Sequence, residues 1–246
     1  MIESSVSDLD LLELQVRALF THDSNGRIVA INEPGGGQAP PFFFGRTAAG
    51  NLWRVRHDIP TPLAGALVDL AAREPVTNEL DALPVGLGEI KAALAEHGLQ
   101  VTVSGGPAYR FPSVIRDLGG VTPITADNLH LLGQMEAYRL DVEAGLAEYE
   151  PRLAVVVDGA AVAICNSARL TDRVAEAGVD TVEAYRGRGY APVVVAAWAR
   201  EIRESGRIPL YSTSWENHAS QAVARKLGLV AYGADLSLVE VDSASS

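Results

Sequence analysis

The chain has 246 residues, 48% hydrophobic and 21% charged, with one cysteine and a formal net charge of −11. Such a composition is globular, and the length buries a core without disulfide staples, which a lone cysteine could not form within one chain anyway. The acidic balance argues against a nucleic-acid partner, and no apolar run approaches the ~18 residues of a membrane span. The start, MIESSVSDLDLLELQV, lacks the basic-then-apolar pattern of a signal peptide. A cytoplasmic protein is therefore expected, with a field that suits cationic small molecules such as amines.

In chain order, RIVAIN, FFFGRT and NLWRVRHD read as strands, and NEPGGGQAPP as the loop between the first two. PLAGALVDLAAREP (62–75) has helical spacing closed by proline, and GEIKAALAEHG (88–98) is a helix stopped by Gly98. The Gly/Pro-rich run 104–123 reads as a boundary. It separates an N-terminal α/β domain over 1–120 from a second domain over 121–246. The second domain opens with a helical region, 125–151, capped at Thr125 or Asp127. LAVVVDGAAVAICNSAR follows, two β-rich runs around Asp158-Gly159, the dipeptide of a type I′ hairpin turn. Then come a strand at 175–182, an apolar helix ended by Gly206, and a strand at 207–214. A helix over 216–228 has Asn217 as N-cap and Gly228 as its stop, and a last strand covers 234–241. The alternation predicts a mixed α/β sheet.

The most informative stretch is TVEAYRGRGYAPVVVAAWAR (181–200). A strand ends near Val182 and a helix begins near Gly189, whose first N–H groups lack internal acceptors and sit at the positive end of the helix dipole. Gly187 and Gly189 let an anion approach the backbone, Arg186 and Arg188 add charge, and Pro192 falls in the first turn, where its missing N–H costs little. This pattern suits a phosphate or pyrophosphate. A tight strand–helix turn with solvated arginines is the alternative. A P-loop is excluded because Tyr190-Ala191 stand where Lys-Ser/Thr is needed, and a dinucleotide fingerprint because Pro192 takes its last position. The five histidines show no metal spacing, and Cys165, on the hairpin strand, reads as a buried small hydrophobe.

RGRGYA resembles the R/Q-x-x-G-x-G/A motif of the GNAT superfamily of acyl-CoA-dependent N-acyltransferases. NHASQAVARKLGLV, further on, resembles the family's second signature through Asn217, Ser220, Lys226, Gly228 and Leu229. The resemblance covers about residues 125–241. It implies a GNAT-like fold there, with residues 1–120 as an additional domain, either a degenerate second copy or a family-specific one. It also implies acetyl-CoA as co-substrate, with no metal. Its pyrophosphate would lie on Arg186, Gly187, Arg188, Gly189, Tyr190 and Ala191. Its pantetheine arm would pair with the backbone of Thr181 and Val182, in a gap where this strand splays from the next. Asn217 and Ser220 would support it from the neighbouring helix.

Acetyl transfer to an amine needs a base, a donor for the thioester oxygen and a proton for the leaving thiolate. Glu176 is the first candidate base and Asp180 the second, and a backbone N–H near Val182 is the expected oxyanion donor. The family's usual tyrosine, seven positions after Asn217, is here Ala224, which leaves Tyr211, Tyr190, Tyr232 or water for the thiolate. The expected function is N-acetylation of a small-molecule primary amine by direct transfer. A non-catalytic acyl-CoA-binding module and a protein N-acetyltransferase are the competing readings. The oligomeric state stays open, a homodimer included.

Overall fold

The computed structural model describes residues 6–241. In chain order the elements are α1 (Asp8–Leu19), β1 (Phe20–His22), β2 (Ile28–Ile31), β3 (Phe42–Thr47), β4 (Gly50–Val55), α2 (Thr61–Ala72), α3 (Leu87–Glu96), β5 (Val101–Arg110) and β6 (Thr122–Pro123). They continue with α4 (Glu136–Glu143), β7 (Leu153–Val157), β8 (Ala160–Leu170), β9 (Val174–Thr181), α5 (Tyr190–Glu204), β10 (Ile208–Ser212), α6 (His218–Leu227) and β11 (Val230–Glu240). A 3-10 segment, Ala126–Leu132, precedes α4. The expected mixed α/β architecture is observed. β1 and β2 form a small ribbon, and nine strands form one sheet in the order β4-β3-β11-β5-β10-β9-β8-β7-β6.

Helices cover both faces of that sheet. α5 and α6 pack on one face around Trp198, Val194 and Tyr211, and α2 and α3 extend the same layer around Leu67 and Leu94. α1 lies on the other face through Leu11, Leu12 and Val16, and the Ala126–Leu132 segment and α4 continue that layer around Leu132 and Ile164. The hairpin of β7 and β8 turns at Asp158 and Gly159, both left-handed with φ of 50° and 78°, as a type I′ turn requires. α6 starts on Asn217, whose Oδ1 accepts from the Ser220 N–H at 3.0 Å, and ends on Gly228.

Two readings are corrected. The sequence reading assigned no helix near the start, yet α1 is a capped amphipathic helix. Ser7 Oγ accepts from the Asp10 N–H at 3.1 Å, and the Asp10 carboxylate accepts from Ser7 Oγ at 2.7 Å. The run 104–123 does not begin as a boundary. Its first part belongs to β5, which lies between β10 and β11 and pairs with both. Gly105 and Gly106 are in this strand because of crowding. A Cβ on Gly105 would stand 2.2 Å from the Asp235 carbonyl oxygen, and one on Gly106 would stand 2.0 Å from that of Thr213. Residues 1–120 and 121–246 thus contribute strands to the same sheet.

Candidate active site

β9 and β10 are parallel neighbours, and their pairing is short. It runs from Val174↔Ile208 to Glu176↔Leu210, while β9 continues to Thr181 and β10 to Ser212. Beyond Glu176 the two strands separate. The alternation of β9 turns the backbone groups of Val179 toward this gap, because Val182 and, by pairing, Asp180 direct theirs to β8.

At the far end of β9 the chain makes one 3-10 turn, Glu183–Tyr185, and then the glycine turn into α5. Gly187 and Gly189 have φ of 77° and 88°, and a Cβ at either would meet nothing within 4 Å. Backbone conformation, then, and not crowding, requires glycine here. No side chain caps the N-terminus of α5, so its first N–H groups face outward uncapped. Pro192 is the third residue of α5, as its missing donor allows. A cavity of about 460 Å³ opens beside this turn, between the end of β9, the start of α5 and one face of α6.

The cavity brings together most of the expected site. Asp180, Thr181, Arg186, Gly187, Gly189, Tyr190, Ala191, Asn217 and Ser220 line it. Val179, Tyr185, Val223 and Lys226 line it too, and the sequence reading gave them no site role. Arg186 Nε donates to the Thr181 carbonyl at 3.1 Å, and the Asp180 carboxylate accepts from the Thr181 N–H at 2.7 Å.

Three expected positions lie outside the wall: Glu176, Val182 and Arg188. The Val182 N–H donates to the Val162 carbonyl at 2.9 Å, and its own carbonyl accepts from the Tyr185 N–H at 2.8 Å. Val182 therefore has no free N–H for an oxyanion or a pantetheine amide, which corrects that expectation. Arg188 donates to the Ala184 carbonyl at 3.0 Å and lies over the Tyr185 ring, 5.0 Å from its centre.

Glu176 faces the α1 side of the sheet and is only 3% exposed. Ser212 Oγ donates to its Oε2 at 3.2 Å, and its Oε1 has no hydrogen-bond partner. Burial, then the nearby Asp235 carboxylate, pushes Glu176 up to about 8, against the opposing Ser212 hydrogen bond and Arg169. Burial also raises Asp235 to about 6, although Gln15 Nε2 donates to it at 2.9 Å. Gln15 closes this cluster by accepting from the Tyr232 hydroxyl at 2.7 Å, which removes Tyr232 from the thiolate candidates. Tyr211, on the α5/α6 side, meets Ser220 Oγ at 2.6 Å. Burial pushes Tyr211 up to about 12 and raises the fully enclosed Cys165 thiol. Among the described residues, no group of three His, Cys, Asp or Glu is placed to hold a metal ion, and no helix is long and apolar enough to cross a membrane.

The family model for GNAT acetyltransferases matches residues 153–233, the segment that contains the separating strands and the glycine turn. These residues form a GNAT acetyltransferase domain. No curated protein matches the sequence. Among solved structures, the chain is similar to a GNAT-family acetyltransferase of Colwellia psychrerythraea. That likeness has 14% identity and a TM-score of 0.50, over 96% of this chain and 97% of that one. The fold beyond the GNAT domain, residues before 120 included, thus has a counterpart in that structure. Two further likenesses are partial. A GNAT-family acetyltransferase of Novosphingobium aromaticivorans is 18% identical over 58% of this chain and 68% of its own, with a TM-score of 0.47. An aminoglycoside N-acetyltransferase in complex with CoA is 22% identical over 44% and 85%, with a TM-score of 0.36.

Proposed function

We propose that the GNAT domain transfers the acetyl group of acetyl-CoA to a primary amine of a small molecule, by direct attack within a ternary complex. One observation carries this reading. The cavity lies where the uncapped N-terminus of α5 meets the part of β9 that no longer pairs with β10. The pyrophosphate takes the N–H groups of the glycine turn, with Arg186 and Lys226 supplying charge. The pantetheine arm runs along the unpaired edge of β9, where the Val179 backbone is free to bond it. Asn217 and Ser220 border the arm from α6. The thioester then reaches the point where the strands separate. Asp180, the carboxylate in the wall, attracts the cationic acceptor, consistent with the acidic chain. A non-catalytic acyl-CoA binder is the second reading. Ala224, fully buried where the family resemblance expects a tyrosine, favours it.

Calorimetric titration with acetyl-CoA tests the cofactor site. Wild type should bind in the micromolar range. A variant carrying Gly189→Trp and Arg188→Glu should lose at least ~100-fold in affinity, about 2.7 kcal/mol, with its circular dichroism unchanged. A well-folded wild type with no binding would remove the assignment.

A further inference from the structure

Glu176 combines three features. It is enclosed, one of its oxygens has no partner, and it is the last β9 residue paired with β10. Its Oε2 accepts a hydrogen bond from Ser212 Oγ at 3.2 Å. Ser212 is half-buried and is the last residue of β10, beyond the final pair Glu176↔Leu210. The enclosed carboxyl is thus bonded to a hydroxyl on the stretch of β10 that lies past the last pair with β9. The other groups around Glu176 are engaged elsewhere. Asp235 and Tyr232 of β11 are both tied to Gln15 of α1, and Arg169 of β8 pairs with Glu33 at 2.9 Å. A hydroxyl donates one proton and accepts another at the same oxygen, so it passes a proton on without being consumed.

We propose that Ser212 is a proton relay connecting the enclosed Glu176 to an amine bound in the gap between β9 and β10. The inference rests on the acetyl-transfer reading above. The amine arrives as an ammonium. It gives a proton to Ser212 Oγ while Ser212 hands its own to Glu176 Oε2, leaving a neutral amine and a neutral carboxyl. The amine nitrogen then attacks the thioester carbon, so that a C–N bond forms and the C–S bond breaks. The second nitrogen proton ends on the departing sulfur, and Glu176 returns its proton to solvent through Ser212. Ammonium and thioester give amide, thiol and one proton. Enclosure suits Glu176 to this work, since a carboxyl raised to about 8 competes for an ammonium proton far better than an ordinary glutamate.

The test follows thiol release from acetyl-CoA between about pH 6 and about pH 10. Benzylamine, an ammonium near neutrality, is compared with hydroxylamine, already a free base there. The proteins are wild type, Ser212→Ala, Ser212→Thr and Glu176→Gln. With benzylamine, wild-type kcat/KM should rise through about pH 8. Ser212→Ala should lose about 100-fold and flatten that rise, and Ser212→Thr, which keeps the hydroxyl, should return to within about tenfold of wild type. With hydroxylamine, the alanine loss should be at least ~10-fold smaller, because no proton must leave before attack. A Ser212→Ala profile parallel to wild type, or equal losses with both amines, would overturn the relay. So would a wild type that binds acetyl-CoA but is silent with both amines. Failure to bind acetyl-CoA at all would instead remove the acetyl-transfer reading beneath it.

Discussion

Replacing Glu176 by glutamine should stabilise the fold, and increasingly so as the pH rises. The carboxyl moves from an ordinary 4.5 to about 8 on folding. Below about pH 4.5 both folded and unfolded chains hold its proton, and there is no penalty. Between about 4.5 and about 8, the folded chain keeps a proton that the unfolded chain releases, so stability falls as the pH rises. Above about 8 both are ionised and the penalty is complete. At about 1.36 kcal/mol per pH unit, wild type carries a cost of about 3 kcal/mol at pH 7 and on the order of 5 kcal/mol at pH 9. Glutamine keeps the size and a hydrogen-bonding oxygen but never ionises. Urea unfolding followed by circular dichroism should give nearly equal stabilities at pH 4, with the variant ahead by several kcal/mol at pH 9. An advantage that stays constant across this range would refute the argument, because no proton would then be coupled to folding at this site.

Two further perturbations probe the frame around that carboxyl. Gly106→Ala would place its Cβ 2.0 Å from the Thr213 carbonyl oxygen, within backbone that cannot yield cheaply. It should lower stability by at least ~3 kcal/mol, read as a depressed Tm. Gln15→Leu strips both Asp235 and Tyr232 of their side-chain partner and should cost about 2 kcal/mol. It also removes the bond that holds the Asp235 carboxyl down, so the deficit should be larger at pH 8 than at pH 5, as urea titrations at the two values will show.

The local signals in the sequence were the readable ones. Asp158-Gly159 specified its turn because both residues tolerate left-handed backbone, and Asn217 and Gly228 marked the ends of α6 by capping chemistry. RGRG pointed to the cavity because the turn between β9 and α5 that borders it is made from consecutive residues. What stayed hidden depends on distant neighbours. Gly105-Gly106-Pro107 reads as a loop. Its place in a central strand follows only from the carbonyls of Asp235 and Thr213, far along the chain. α1 does carry a sequence signal, Ser7 three before Asp10 ahead of an apolar stripe, although the stretch was weighed only against the pattern of a signal peptide. Glu176 was placed on the correct strand. Both faces of that strand are covered, however, so alternation did not reveal that the carboxylate points under α1, away from the cavity. Ser212 carries no motif, and only the early end of the β9–β10 pairing gives it meaning.

The position of β5 has a consequence for how the chain is made. Its two neighbours, β10 and β11, begin at Ile208 and Val230, and β3 likewise finds one of its partners in β11. During synthesis, residues emerge from the ribosome in order, so both edges of β5 stay bare while residues 111–207 are made. The early half of the chain must wait for the late half before its sheet can close. A nascent chain stalled before Val230 leaves unpaired strand edges that invite association with other chains. Closure of the nine-stranded sheet thus waits for Val230–Glu240, although the cavity beside the glycine turn is drawn from fewer than fifty consecutive residues, 179–226.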